Sequence, residues 1–214
     1  VLYFSNDADR RLYRLDPGAP DPTPLTPEGA WRYGDGVIDR AGRWIGVRED
    51  HTAGGEPVNE IVAVNAAGAQ VLARGHDFFS SPKVSANGRL AYLAWDHPNM
   101  PWDGTTLFVD GAAVAGGPGE SIFQPEWSPD GGSLLFISDR SGWWNLYRHD
   151  LATGRTRPIA PRDAEFALPQ WVLGMYTWSF AGPARIVCAY VEKGLGRLAT
   201  IDLTSAVLTT LETP

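Results

Sequence analysis

Cysteine is almost missing from this chain: among 214 residues there is one, Cys188. No intrachain disulfide is possible, and a cysteine-based zinc set is excluded. Cys188 lies in the apolar run Ile186-Val187-Cys188-Ala189-Tyr190-Val191 and reads as a buried strand residue rather than a nucleophile. No apolar run approaches the ~20 residues that cross a bilayer as a helix, so no membrane partner is expected. No leader peptide is visible. Lysine is nearly absent too, with Lys83 and Lys193 the only two among 18 basic residues. That bias toward arginine reads as genome composition. Acidic residues number 25, giving a net charge of −7 and a pI near 5.0, which counts against a nucleic-acid surface. No glycine-rich phosphate loop occurs. What is present is a hydrophobic fraction of 43%, ample for a globular core.

The organising feature is a short unit repeated five times. Its clearest copy holds Trp127-Ser128-Pro129-Asp130-Gly131-Gly132, then Ser133-Leu134-Leu135-Phe136-Ile137-Ser138, then Asn145-Leu146-Tyr147-Arg148-His149-Asp150. Pro129 presets φ, and the glycines after Asp130 tolerate positive φ, so the first stretch is a turn. The apolar run after it predicts a strand covered on both faces. Leu151-Ala152-Thr153-Gly154 predicts a hairpin turn. Glycine landmarks at 42, 88, 131 and 182 are spaced 46, 43 and 51 residues apart. The third-strand ends Asp16, Asn65, Asp110, Asp150 and Asp202 give an independent ruler of 49, 45, 40 and 52. Four strands of about five residues with their turns predict that period.

A unit this small cannot bury its own faces and must pack against its neighbours. The predicted fold class is all-β, a β-propeller of about four full four-stranded blades plus one partial blade. The copies cover approximately 1–29 (incomplete), 33–75, 79–117, 122–161 and 169–214. A β-sandwich would show no turn recurring at fixed intervals. Val58 to Leu72 is alanine-rich, yet Gly68 and the β-branched Ile61, Val62 and Val64 favour a hairpin over a helix. The first copy lacks its first strand, so the expectation is a segment of a longer protein rather than a five-bladed ring.

Several motifs taken together resemble the propeller domain of the prolyl oligopeptidase family of serine peptidases, in its acylaminoacyl-peptidase and aminopeptidase branch. They are Trp127 to Gly131, Ser138 to Tyr147, the loop His97-Pro98-Asn99-Met100-Pro101-Trp102-Asp103-Gly104-Thr105, and Pro169-Gln170-Trp171-Val172-Leu173-Gly174-Met175. The resemblance covers essentially the whole chain. It implies a seven-bladed propeller, of which roughly blades two to six are present. The implied partners are an α/β-hydrolase domain of the same parent chain and a short peptide substrate. Cytoplasmic residence is the expectation from cysteine use and from the resemblance.

The chain carries no Gly-x-Ser-x-Gly elbow and no readable triad, because His51, His76, His97 and His149 fall in different copies. It is expected to be inactive alone, with no catalytic residue, metal or cofactor. The resemblance instead implies that a propeller gates access and binds a substrate's free amino end. Glu165, set among apolar neighbours, is the candidate carboxylate, with Gln170 and Trp171 beside it. His97, Pro98, Met100, Trp102 and Asp103 form an expected structural or domain-docking loop. His97 and Asp103 make a poor ligand set. Trp143 and Trp144 fit the space between blades. Asn6-Asp7-Ala8-Asp9 lacks the glycine and downstream glutamate of a calcium loop. Two other function classes are consistent with the repeat. One is a stand-alone interaction propeller of WD-repeat or Tol-system type. The other is a glycosidase-like propeller with Asp35 and Asp39 near its axis.

Overall fold

The computed structural model describes residues 1–212, so the last two residues of the fifth copy, 213 and 214, lie outside the described residues. Every regular element described is a β-strand, arranged in five antiparallel sheets. The first sheet has three strands, β1 (Leu2–Ser5), β2 (Leu12–Leu15) and β3 (Thr23–Pro24). The second holds β4 (Trp31–Ile38), β5 (Trp44–Asp50), β6 (Val58–Asn65) and β7 (Gly68–Arg74). The third holds β8 (Phe78–Val84), β9 (Leu90–Trp95), β10 (Thr106–Val109) and β11 (Ala112–Gly116). The fourth holds β12 (Ile122–Trp127), β13 (Ser133–Ser138), β14 (Asn145–Asp150) and β15 (Arg155–Pro158). The fifth holds β16 (Trp178–Phe180), β17 (Arg185–Glu192), β18 (Leu195–Asp202) and β19 (Leu208–Leu211). Each sheet runs in chain order as a meander. The first lacks a counterpart of the innermost strand, and Val58 to Arg74 is a hairpin.

Both rulers have a local cause. In the turn after β12, the Ser128 hydroxyl accepts the Ser133 N–H at 2.9 Å, and Asp130 accepts the Gly132 N–H at 3.0 Å. Gly131 takes φ +70°, a region that favours glycine. Ser85 and Asp39 do the same work at their turns, accepting the Arg89 and Arg43 N–H groups. At the third-strand ends, Asn65, Asp150 and Asp202 cap their hairpins by accepting the N–H groups of Ala67, Thr153 and Thr204. Side-chain oxygens that bond backbone two or three residues on are the standard turn device.

No sheet owns a core; each core lies between two sheets. Leu12 packs with Tyr33, Trp44, Val62 and Val64 between the first and second. Ile45, Val47, Ile61 and Ala63 meet Phe79, Tyr92 and Ala94 between the second and third. Leu93 and Leu107 meet Ile122, Leu134 and Phe136 between the third and fourth. Leu135, Ile137 and Leu146 meet Trp178, Ile186, Cys188 and Tyr190 between the fourth and fifth. The continuous apolar run of β13 is thereby explained. Leu134 and Phe136 serve one junction while Leu135 and Ile137, on the opposite face, serve the next. Burying each such side chain stabilises by about 1.5–3 kcal/mol. Cys188 is 2% exposed and belongs to the last junction.

The innermost strands share a second feature. The ladder slips between Gly34 and Val37 in β4, Ser80 and Lys83 in β8, and Phe123 and Glu126 in β12. A non-glycine residue with positive φ sits in each slip: Asp35 (49°), Ser81 (53°) and Gln124 (48°). Bulges bend a strand and redirect its side chains. Here they aim side chains from adjacent sheets into the hub where the inner strands meet.

Candidate functional site

The longest connection between strands runs over residues 159–177, between β15 and β16. Its first half is anchored in the core. Ala164, Phe166 and Ala167 are buried in the last junction, and Phe166 stacks on Tyr190 with ring centroids 5.1 Å apart. Glu165, between buried neighbours, is pinned through its backbone. Its N–H donates to the Val191 carbonyl at 2.9 Å, and its carbonyl accepts the Val191 N–H at 2.8 Å. Its carboxylate Oε2 accepts the Trp144 N–H at 2.9 Å. That half-buried carboxylate lines two hollows. One, of about 420 Å³, is walled by Phe166, Leu168, Tyr190 and Leu198. The other, of about 510 Å³, is walled by Trp144, Leu168, Pro169 and Val191 and also holds Asp139.

Neither Glu165 nor Asp139 has an ion-pair partner among the described residues. The nearby cations are committed elsewhere: Arg140 pairs with Glu120 at 2.7 Å, and Glu192 takes both Arg162 at 3.5 Å and Arg197, which lines the first hollow, at 3.7 Å. An uncompensated carboxylate at the junction of two largely apolar hollows can receive a cation. At 4 Å and an effective dielectric near 20, such a pair gains about 4 kcal/mol before desolvation. Among the described residues, no group of three or more His, Cys, Asp or Glu is placed to hold a metal ion.

The other sequence candidates fall nearby but apart. Gln170 is half-buried and lines neither hollow. Trp171 is 72% exposed and meets Trp102, its ring centroid 4.3 Å away. The structure thus joins one candidate of the 169–175 stretch to one of the His97–Thr105 loop. That loop bridges the third and fourth sheets. The Pro101 carbonyl accepts the Ser121 hydroxyl at 2.9 Å, and the Asn99 amide donates to the Pro118 carbonyl at 3.1 Å. His97 pairs with Asp77 at 3.0 Å, and Asp103 accepts the Met100 N–H at 3.0 Å. His97–Pro98 is a cis peptide, and Met100 is exposed.

A polar cluster at the hub escaped the sequence reading, apart from Asp35. Lys83 on β8 pairs with Glu126 on β12 at 2.7 Å and donates to the Tyr176 hydroxyl at 2.8 Å, with only 12% and 24% of the two charged side chains exposed. The ammonium also lies 4.7 Å from the Tyr176 ring centroid. Burial pushes the Glu126 carboxyl above the usual carboxylate range, against the pull of Lys83. Burial would lower the Lys83 ammonium, but Glu126 and Tyr176 more than offset it and hold it above its ordinary value. Burial also raises Asp35, against the Ser81 N–H that its carboxylate accepts at 2.5 Å and the charge of Lys83. Asp39 lies away from this cluster, capping its turn and pairing with Arg43 at 2.8 Å. A signal for the cluster was present in the sequence. Lys83 and Glu126 each stand two residues after the bulge residue, a register visible once the three turns are aligned.

Wedge-shaped sheets that bury their faces against one another around a polar hub define a β-propeller. Comparison with solved structures is specific. The chain superposes on a puromycin hydrolase at 35% identity with a TM-score of 0.90, covering 99% of this chain and 36% of that one. A puromycin-hydrolyzing peptidase of Mycobacterium tuberculosis matches at 37% identity and a TM-score of 0.90, with the same coverage. TolB of Acinetobacter baumannii, at 14% identity and a TM-score of 0.59 over 98% of this chain and 51% of that one, shares the fold alone. No protein-family model matches the chain, and no curated protein does. Over nearly its whole length the chain is similar to the propeller portion of these puromycin hydrolases, peptidases of the prolyl oligopeptidase family, and it spans about a third of their length.

Proposed function

We propose that this chain is the non-catalytic propeller portion of a serine exopeptidase of aminopeptidase or acylaminoacyl-peptidase type. The parent propeller has seven blades and works beside an α/β-hydrolase domain of the same polypeptide. The observation that carries the reading is likeness to two puromycin-hydrolysing proteins at 35% and 37% identity over 99% of this chain, which leaves most of each relative's length outside the match. Within that arrangement the propeller limits access to the catalytic domain and receives the free amino end of a short peptide at Glu165. Supporting the second role is a carboxylate with no ion-pair partner among the described residues, held through Val191 and Trp144, between two hollows with largely apolar walls.

The test uses the full-length parent with paired aminoacyl and N-acylated aminoacyl p-nitroanilides. Glu165→Gln keeps the acceptor for the Trp144 N–H and removes the charge. It is expected to raise KM about ten-fold or more for the free-amine substrate, since a lost charge-assisted contact is worth about 1.5–3 kcal/mol. The acylated substrate should be unaffected. Equal kinetics for the variant and the parent on both substrates remove Glu165 from the site. The present chain alone should neither hydrolyse these substrates nor be labelled by a fluorophosphonate.

A further inference from the structure

The second half of the long connection covers residues 168–176. It is apolar yet open to water: Leu168, Trp171, Val172, Leu173 and Tyr176 are all exposed. Among the described residues, its only backbone–backbone hydrogen bond is that from the Trp171 N–H to the Pro169 carbonyl. It has no ladder and little packing of its own, except that Met175 rests on the last inter-blade core. Segments so sparsely bonded belong to the low-stability end of a fold.

Three contacts hold it across the hub, each to a different part of the molecule. Tyr176 is bound through its hydroxyl and its ring face by Lys83 on the innermost strand of the third sheet. Trp171 stacks at a tilt on Trp102 of the β9–β10 loop. Leu173 approaches Gly34 on the innermost strand of the second sheet, its Cδ1 lying 3.7 Å from where a Cβ would stand there. The segment that leads into the fifth sheet therefore reaches the inner strands of the second and third. Leu168 at its start and Thr177 just past its end line the 420 Å³ hollow beside Glu165.

We infer that residues 168–176 are a movable strap over the hub, latched by the Lys83–Tyr176 contact. The strap separates the hollow beside Glu165 from the hub, and its release joins the two spaces. Lys83 is kept charged and aimed by Glu126, so Glu126 is a positioning residue for the latch. The exposed apolar side chains are the surface the strap turns over when it moves. The inference stands on the latch geometry and does not depend on what Glu165 binds.

Hydrogen exchange on this chain, read by mass spectrometry, tests it. Tyr176→Phe keeps the ring and removes the hydroxyl. The hydrogen-bonded amides in and just beside the strap, Trp171 and Thr177, should exchange about ten-fold faster in the variant, while those of β13 are unchanged. Lys83→Met paired with Glu126→Gln, which removes both partners of the ion pair together, should do the same. The Trp102–Trp171 exciton couplet in circular dichroism gives a second readout. It should weaken in both latch variants and vanish in Trp171→Phe. Strap amides exchanging at the parent rate in both latch variants, with the couplet intact, overturn the inference. If one variant also loosens β13 it has unfolded more widely, and the other variant and the couplet decide.

Discussion

Two junctions of this molecule are built oppositely. Between the third and fourth sheets the chain crosses in residues 117–121, and the crossing is sealed. The Thr105 hydroxyl accepts the Ile122 N–H at 2.6 Å, the Thr105 N–H donates to the Glu120 carbonyl at 2.9 Å, and Ser121 is tied to Pro101. Between the fourth and fifth sheets the crossing takes residues 159–177, bears two hollows and exposes apolar side chains. Unstructured connections longer than about 12–15 residues in compact domains are uncommon and usually functional. The contrast sets a closed, hydrogen-bonded crossing at one junction against an open crossing with hollows at the next, on sheets of the same pattern.

The comparison can be broken most forcefully at the sealed junction. Gly116 has φ +85°, and a Cβ there would stand 2.0 Å from the Thr105 carbonyl oxygen. Gly116→Ala should therefore cost about 3 kcal/mol or more through overpacking and backbone strain, seen as a lower urea midpoint. A midpoint near that of the parent would show the seal to be soft. The second junction is held at the hub by Gln124, 3% exposed. Its Oε1 accepts the Thr177 N–H at 2.7 Å and its amide donates to the Trp178 carbonyl at 2.7 Å. Gln124→Leu should cost about 2 kcal/mol, because buried backbone groups lose their partners. It should also speed hydrogen exchange in β16 more than in β9. Equal loosening of both strands would erase the distinction between the junctions.

The smallest effect concerns Asp35, which does for Ser81 what Gln124 does for Thr177, but with a charge. The folded-state pKa of Asp35 is raised by burial, so near neutral pH the fold carries an ionised group it disfavours. Below the ordinary carboxylate value both folded and unfolded forms are protonated and that penalty is gone. Asp35→Asn keeps an acceptor for the Ser81 N–H. It should be modestly more stable than the parent at pH 7, with the gain closing as pH falls through the raised folded value toward the unfolded one. Denaturation midpoints at pH 7 and pH 3.5 check the sign. A gain that persists at the lower pH would mean the charge is not the cause.

How much of this was legible beforehand follows from what repeats and what does not. β13 and β14 lie within the limits their residue runs and turn residues mark. The asparagine and aspartate ruler worked because Asn65, Asp150 and Asp202 cap hairpins, a task that fixes residue type locally. Even the burial of β13 on both faces shows in its composition. The site is different. Trp102 and Trp171 come together from loops 69 positions apart, and Lys83 and Tyr176 from positions 93 apart. No local pattern demands such pairs; the closing of the array around its hub brings them together. Glu165 was noticed for its apolar neighbours, but its anchor to Val191 depends on the β17–β18 hairpin, which residue types alone do not position.

The single sulfhydryl makes the molecule a gauge of its own integrity. Burial between the fourth and fifth blades pushes the Cys188 thiol up to about 11, so near neutral pH almost none is the reactive thiolate, and no reagent reaches it in the closed form. Alkylation must wait for those two wedges to part. The rate at which this one sulfur is trapped times the opening of the junction beside the strap, with no introduced label and no second thiol to confuse the count.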